Sequence, residues 1–289
     1  MTVFVTGSES FIGGFFIEKC QEFGFSVVGI DSVVSGNSVT TQADIRDPGL
    51  ADLIPEEAIV VHLAAISRDP DCRADPKSAF DINVTGTLNV AHAARQRHAR
   101  QLIFASSEWV YGDVANSEVQ LEDRNIDVTA INSEYALSKI VAEQLLKLSF
   151  SDLPTTVLRF GIVYGPRPVL ASAVEHLFDA VRSKDTVTVG ALATARRFIH
   201  VRDIASGILA SFGRDGFEIF NLSGDRPISL GEVIDASCEF LEREVEIIEK
   251  APNEPSIRNP DNSKARTAFN WKPEIDLMAG LSDLARSAD

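Results

Sequence analysis

The sequence predicts an α/β fold: a doubly wound parallel sheet followed by a smaller C-terminal α/β region. Three observations carry that expectation. Apolar runs of strand length alternate with helical stretches through the first 160 residues, and near-continuous apolar strands belong to a parallel sheet covered on both faces. The first run passes directly into a turn of small residues, "VFVTGSESFIGG". After residue 165 the order is less regular, and prolines punctuate it at 166, 168, 227, 252, 255, 260 and 273.

Taken in order, residues 3–6 read as a buried strand and 11–23 as a helix that starts abruptly from the glycine turn. A strand, turn and helix in this order can bind a phosphate, because the helix's first unpaired N–H groups and its positive dipole end face the turn. The second strand, 26–30, ends at Asp31. A carboxylate in that place accepts hydrogen bonds from the adenosine ribose hydroxyls and repels a 2′-phosphate, which favours NAD over NADP. Strands at 59–63, 101–105 and 155–160 follow, with helices over 79–97 and 133–148 between the later ones. A dinucleotide-binding domain is therefore expected over 1–165, with 190–220 returning to it, and a mainly substrate-binding region over 166–289. No internal repeat or low-complexity segment occurs.

Composition narrows the function. The chain has 289 residues, 45% apolar and 24% charged, an ordinary globular balance. No run approaches the roughly 20 apolar residues of a membrane span, and no basic segment leads into an apolar one at the N-terminus. A soluble cytoplasmic protein without a membrane partner is expected. Cys20, Cys72 and Cys238 lie far apart, a spacing that offers neither a disulfide framework nor a metal knuckle. A net charge of −15 argues against nucleic acid, which needs a basic footprint. An anionic ligand must then be captured by a few placed arginines.

Tyr135 and Lys139 stand four apart in a helical stretch and so project from one face. An ammonium beside a phenol stabilises the phenolate and brings it toward general-base work near neutral pH. Ser107 follows the apolar strand "LIFA", at the carboxyl edge where open α/β sheets place their ligands.

With "HLAA" at 62–65, "NVTGT" at 83–87, "SSEWVYG" at 106–112, "YALSK" at 135–139, "YGPR" at 164–167 and "RRFIHVRD" at 196–203, the chain resembles the extended short-chain dehydrogenase/reductases of the NAD-dependent epimerase/dehydratase type, nearly end to end. The resemblance implies a Rossmann fold that binds NAD. It places Gly7 and Gly13 at the pyrophosphate with Ser10, Phe11 and Ile12 in the same turn, Asp31 at the ribose, and Asp44 and Ile45 at the adenine. Leu63, Ala64 and Ala65 form the floor under the cofactor, and Asn83 also contacts it. The resemblance makes Tyr135 the base that takes a proton from a sugar hydroxyl, Lys139 its electrostatic partner and ribose contact, and Ser107 a donor to the reacting oxygen. Arg196 and Arg258 would grip the diphosphate of a nucleotide sugar, with Tyr164 beside the substrate.

Three positions depart from the family pattern. Ser10 puts a side chain where the backbone approaches the pyrophosphate, and Ile162 stands where an asparagine commonly contacts phosphate. Glu108 is followed by Trp109, whereas the related 4,6-dehydratases carry an acidic pair. Glu108 is either the proton donor of an elimination or a residue that caps a turn or pairs with an arginine. A nucleotide-sugar 4-epimerase is therefore the leading expectation. A 4,6-dehydratase using Glu108, or an oxidoreductase of a non-nucleotide substrate, stands as the alternative. His62 and His200 read as packing residues, and no metal cluster is expected. Surplus apolar residues on the helices over 79–97 and 133–148 (Ile82, Val84, Leu88, Val90, Ile140, Val141, Leu145 and Leu146) predict a homodimer through a four-helix interface.

Overall fold

The computed structural model describes residues 1–35, 38–112 and 118–286. These fall into two compact units, one holding 1–112, 125–159 and 205–220, the other 118–124, 160–204 and 221–286.

The elements up to residue 160 are β1 (Thr2–Thr6), α1 (Phe11–Glu22), β2 (Ser26–Asp31), β3 (Thr40–Gln42), α2 (Leu50–Leu53), β4 (Ile59–His62), α3 (Asp69–Ala74), α4 (Pro76–Phe80), a π-helical turn (Asp81–Gly86), α5 (Thr87–Gln96), β5 (Gln101–Ser107), a 3₁₀ turn (Glu108–Tyr111), α6 (Glu134–Ser149) and β6 (Thr155–Phe160). The remaining ones are β7 (Val163–Tyr164), α7 (Ala173–Ser183), β8 (Thr186–Val189), β9 (Ala195–Arg196), β10 (Ile199–His200), α8 (Val201–Ala210), β11 (Phe217–Leu222), β12 (Ile228–Ser229), α9 (Leu230–Leu241), β13 (Glu246–Glu249), α10 (Ser263–Phe269) and α11 (Leu277–Arg286).

Seven strands form one sheet in the order β11-β6-β5-β4-β1-β2-β3. The pairs β1–β2, β1–β4, β2–β3 and β4–β5 are parallel. The strand order therefore reverses between β1 and β4, the crevice where doubly wound sheets bind dinucleotides. Every residue of β4, β5 and β6 is buried, the apolar centres in the core and polar residues such as Gln101, Thr156 and Arg159 held by side-chain hydrogen bonds. Phe4, Val60, Leu102 and Phe104 of the sheet pack with Val90, Ala94, Ala142 and Leu146 of α5 and α6. In the second unit Phe178, Val181, Val187, Val233 and Leu281 form a separate core.

The helix expected as one piece over 79–97 is broken into α4, the π-helical turn and α5. Thr87 is the cause. Its hydroxyl donates to the Asn83 carbonyl at 2.7 Å, the acceptor an α-helix would give to the Thr87 N–H, and that N–H bonds Val84 instead. Threonine back-bonding of this kind bends helices.

Candidate active site

The glycine turn between β1 and α1 is closed so tightly that two positions exclude a side chain. Gly7 has φ +71°, and a Cβ there would lie 2.7 Å from the Ala64 nitrogen; one at Gly13 would lie 2.2 Å from the Gly7 carbonyl oxygen. Both costs are steric, and glycine alone avoids them. Ser10 is the N-cap of α1, its Oγ accepting from the Gly13 N–H at 3.1 Å. The side chain that departs from the family pattern is thus folded onto the helix, where a serine belongs. Phe11 and Ile12 follow in the first turn, partly exposed.

At the end of β2, Asp31 accepts from the Glu9 N–H at 3.0 Å and the Val33 N–H at 3.2 Å. Glu9 is a second carboxylate at this edge, which the sequence reading missed. The Ser35 hydroxyl donates to it, and that bond, with a further one from Thr40, holds its carboxyl below the usual range. An acid inside a glycine turn was the available signal. The adenine candidates are engaged locally: Asp44 takes two bonds from the Arg46 guanidinium at 3.0 and 2.6 Å, and the carbonyl of buried Ile45 accepts from Asn89 at 2.7 Å. Leu63 and Ala64 bond Thr6 through their N–H groups, and Ala65 is partly exposed. Asn83 is fully buried and spent on structure, exchanging two bonds with the Ile66 backbone and donating to Ser138 at 3.0 Å.

The catalytic candidates meet where α6 docks on the end of β5. Ser133 caps the helix through the Ala136 N–H, which starts it one residue before Tyr135. Tyr135 and Lys139 then share a face, and each has a partner on the strand. The Ser107 hydroxyl hydrogen-bonds the Tyr135 oxygen and favours the phenolate. The Lys139 ammonium donates to the Ala105 carbonyl at 2.8 Å and lies 4.8 Å from the Phe104 ring centre. Burial is the larger influence on both groups. It pushes the Tyr135 phenol up to about 12, outweighing Ser107, and pushes Lys139 down to about 8. The expectation that Lys139 draws the phenol toward neutrality is therefore corrected for the protein alone.

Glu108 opens the 3₁₀ turn directly after Ser107 and is 1% exposed, with Trp109 donating its N–H to Ser107 Oγ at 3.3 Å. His62, beneath, bonds the hydroxyls of Thr6 at 2.7 Å and Thr87 at 2.9 Å. Burial drives it down to about 3, so it is neutral.

In the second unit Arg196 and Arg258 lie on adjoining segments, joined where the Arg258 N–H donates to Ala195 O at 3.1 Å. Arg196 donates to the carbonyls of Ala195 and Ser256 at 2.7 and 2.6 Å, and Arg258 is 9% exposed. Tyr164 has a packing place, 2% exposed, with its ring edge-on to His200 and its hydroxyl against Gly280. Ile162 packs on the same core. Among the described residues no group of His, Cys, Asp and Glu could hold a metal ion, and no helix is long and apolar enough to cross a membrane.

The model of the NAD dependent epimerase/dehydratase family matches residues 3–223. The chain belongs to this family. UDP-glucuronate 4-epimerase of Thermodesulfobacterium geofontis is 30% identical over 309 residues, spanning 96% of this chain and 93% of that protein. UDP-glucuronic acid decarboxylase 6 of Arabidopsis thaliana is 26% identical, spanning 97% and 87%. The solved UDP-glucose 4-epimerase of Thermus thermophilus, in complex with NAD, is similar with a TM-score of 0.82 at 25% identity, over 99% and 98% of the two chains. As a member of the NAD-dependent epimerase/dehydratase family the chain is an enzyme and its cofactor is NAD. The closed glycine turn and the carboxylate ending β2 fit that cofactor.

Proposed function

We propose that this enzyme epimerises a uridine diphosphate sugar at carbon 4 by transient oxidation of that carbon. The observation that carries the reading is the meeting of Ser107, Tyr135 and Lys139 between β5 and α6. Tyr135 takes the proton of the carbon 4 hydroxyl, Ser107 donates to that oxygen, and Lys139 supplies the positive charge that makes the phenolate accessible. NAD, when bound, supplies the hydride acceptor and returns the hydride. Gly7, Ser10, Phe11, Ile12 and Gly13 would hold its pyrophosphate end, Asp31 its ribose, and Asp44, Ile45, Leu63, Ala64 and Ala65 the walls around it, while Asn83, fully buried on Ile66 and Ser138, supports the site from behind rather than touching the cofactor.

The relatives that support this reading are named for carbon 4 epimerisation and for decarboxylation of a glucuronic acid. One intermediate serves both, since a ketone at carbon 4 is β to a hexuronate carboxyl. Arg196 and Arg258 suit the diphosphate, guanidinium being the better fork for phosphate oxygens. Substrate binding is the role we give the second unit, and Tyr164 contributes to it by packing. Three free thiols suit a reducing compartment, and we place the enzyme in the cytoplasm. We infer a homodimer through α5 and α6, where Leu88, Val141 and Leu145 are only partly buried and Leu148 is 76% exposed.

The test is incubation with a panel of uridine diphosphate hexoses and hexuronates, read by mass spectrometry and NMR. A carbon 4 diastereomer of unchanged mass is the expected product, and Glu108→Gln should alter turnover only modestly, because Trp109 stands where a dehydratase has its second acid. Loss of one water, abolished by Glu108→Gln, would make the enzyme a 4,6-dehydratase instead. Loss of carbon dioxide from a hexuronate would assign it to the decarboxylases.

A further inference from the structure

Beside the reacting groups lies a polar cluster that the reaction as described does not use. Arg159 of β6 and Glu143 of α6 are 2% and 1% exposed. Arg159 donates Nη2 to Glu143 Oε2 at 2.7 Å and Nε to Oε1 at 3.1 Å. Ser106 donates its hydroxyl to the same Oε1 at 2.5 Å. On its other side Arg159 donates Nη1 to the Tyr111 hydroxyl at 3.1 Å, its guanidinium carbon 5.0 Å from that ring's centre.

Stability alone does not account for such a pair. Desolvating two ions costs several kcal/mol each, and apolar side chains of similar volume commonly serve a core as well. What singles out this pair is where its partners sit in the chain. Ser106 immediately precedes Ser107. Tyr111 closes the 3₁₀ turn that Glu108 opens. Glu143 is one helical turn past Lys139 and two past Tyr135, on their face of α6. The helix thus meets the strand end at three successive rungs: Tyr135 on Ser107, Lys139 on Ala105 and Glu143 on Ser106.

We propose that Glu143 and Arg159, through Ser106 and Tyr111, are positioning residues that fix Ser107 and Glu108 against Tyr135, with Glu143 also the counter-ion that keeps Lys139 charged. The groups bearing on Lys139 are Glu143 and Tyr135 on α6, Cys72 on α3 and His62 on β4. His62 is neutral, and burial pushes the Cys72 thiol up. Tyr135 is protonated in the protein alone, and the Arg159 cation faces Glu143 from β6. That leaves Glu143, one helical turn along the same face of α6, as the anion opposing desolvation of the ammonium, acting across that turn rather than by direct contact because its oxygens are held by Arg159 and Ser106. The idea rests on the proposed function only for the kinetic consequence, because the charge of Lys139 is measurable without turnover.

The decisive experiment is an NMR titration of lysine side chains labelled at Cε, in wild type and in Glu143→Gln, with Lys139→Arg to assign the signal. We expect the Lys139 titration to move down by about one unit in Glu143→Gln, and Glu143→Asp to restore most of it. An unmoved titration overturns the counter-ion role. Tyr111→Phe removes one hydrogen bond and keeps the ring, so it holds the fold should Glu143→Gln not. It should lower kcat about tenfold while leaving NAD affinity by calorimetry near wild type and the melt cooperative, a few degrees lower because the buried Arg159 loses the Tyr111 acceptor. A kcat equal to wild type overturns the positioning role. Wild-type protein that turns over no nucleotide sugar would sink the proposed function, and the lysine titration would still decide this inference.

Discussion

Tyr135 shows how far one residue's chemistry depends on its surroundings. Four-residue spacing to Lys139 is visible in the sequence, but the balance between desolvation and charge is not, because it depends on how deeply α6 is seated. In the cofactor-free protein, absorbance titration of the three tyrosines should find the Tyr135 phenol ionising near pH 12; a transition near pH 7 would refute this. Tyr135→Phe should abolish turnover and leave NAD binding intact. At the other end of the site, two carboxylates replace the single acid expected. In the proposed cofactor site Asp31 and Glu9 would both repel a 2′-phosphate, so NADP should bind far more weakly than NAD, and Asp31→Asn with Glu9→Gln should narrow that gap at least tenfold by calorimetry. An unchanged affinity ratio would remove both acids from cofactor selection.

Among the elements, those set by apolar pattern were the most legible. The strand expected at 155–160 is Thr155–Phe160 without adjustment, and the expected helix at 133–148 is offset by one residue. Strand β5 runs two residues further than its apolar run, because bonds to α6 hold Ser106 and Ser107 after the apolar pattern stops. The break at the π-helical turn was hidden, since it arises from a hydroxyl choosing a carbonyl rather than from apolar spacing. Asn83→Ala there should cost about 2–3 kcal/mol in urea unfolding, having stranded the Ile66 N–H and carbonyl that Asn83 satisfies. His62 read as packing and is also a bridge between Thr6 of β1 and Thr87 of α5. Its depressed pKa means the native state binds fewer protons than the unfolded chain between pH 6.5 and about 3. Stability should therefore fall with acid through that window, by up to about 1.4 kcal/mol per unit from this residue. His62→Gln should lose less stability than wild type over the same range, and parallel pH curves would contradict the assignment.

For the molecule as a whole, a net charge of −15 means that the proposed diphosphate capture would fall to local arginines, and the proposed dimer would cover the partly buried faces of α5 and α6. Light scattering at micromolar concentration should give twice the chain mass; a monomer would refute the dimer. The strand order also bears on how the chain is made. β6 reaches its outer partner only in β11, roughly 60 residues later, so at about 5–20 residues per second a ribosome leaves that edge open for several seconds. The closing contacts come from the late segment: Gln101, 1% exposed, donates to Ser211 O at 2.9 Å and accepts from Gly213 N–H at 2.8 Å, and the Thr155 N–H donates to Gly216 O at 2.7 Å. An open, apolar strand edge is a template for pairing with a neighbouring nascent chain. Fragments should report this directly: residues 1–165 should collect in aggregates when translated alone, and the whole chain, which carries both β11 and the residues that complete the second core, should stay in solution. Equal solubility of the two would mean that synthesis never exposes the edge long enough to matter.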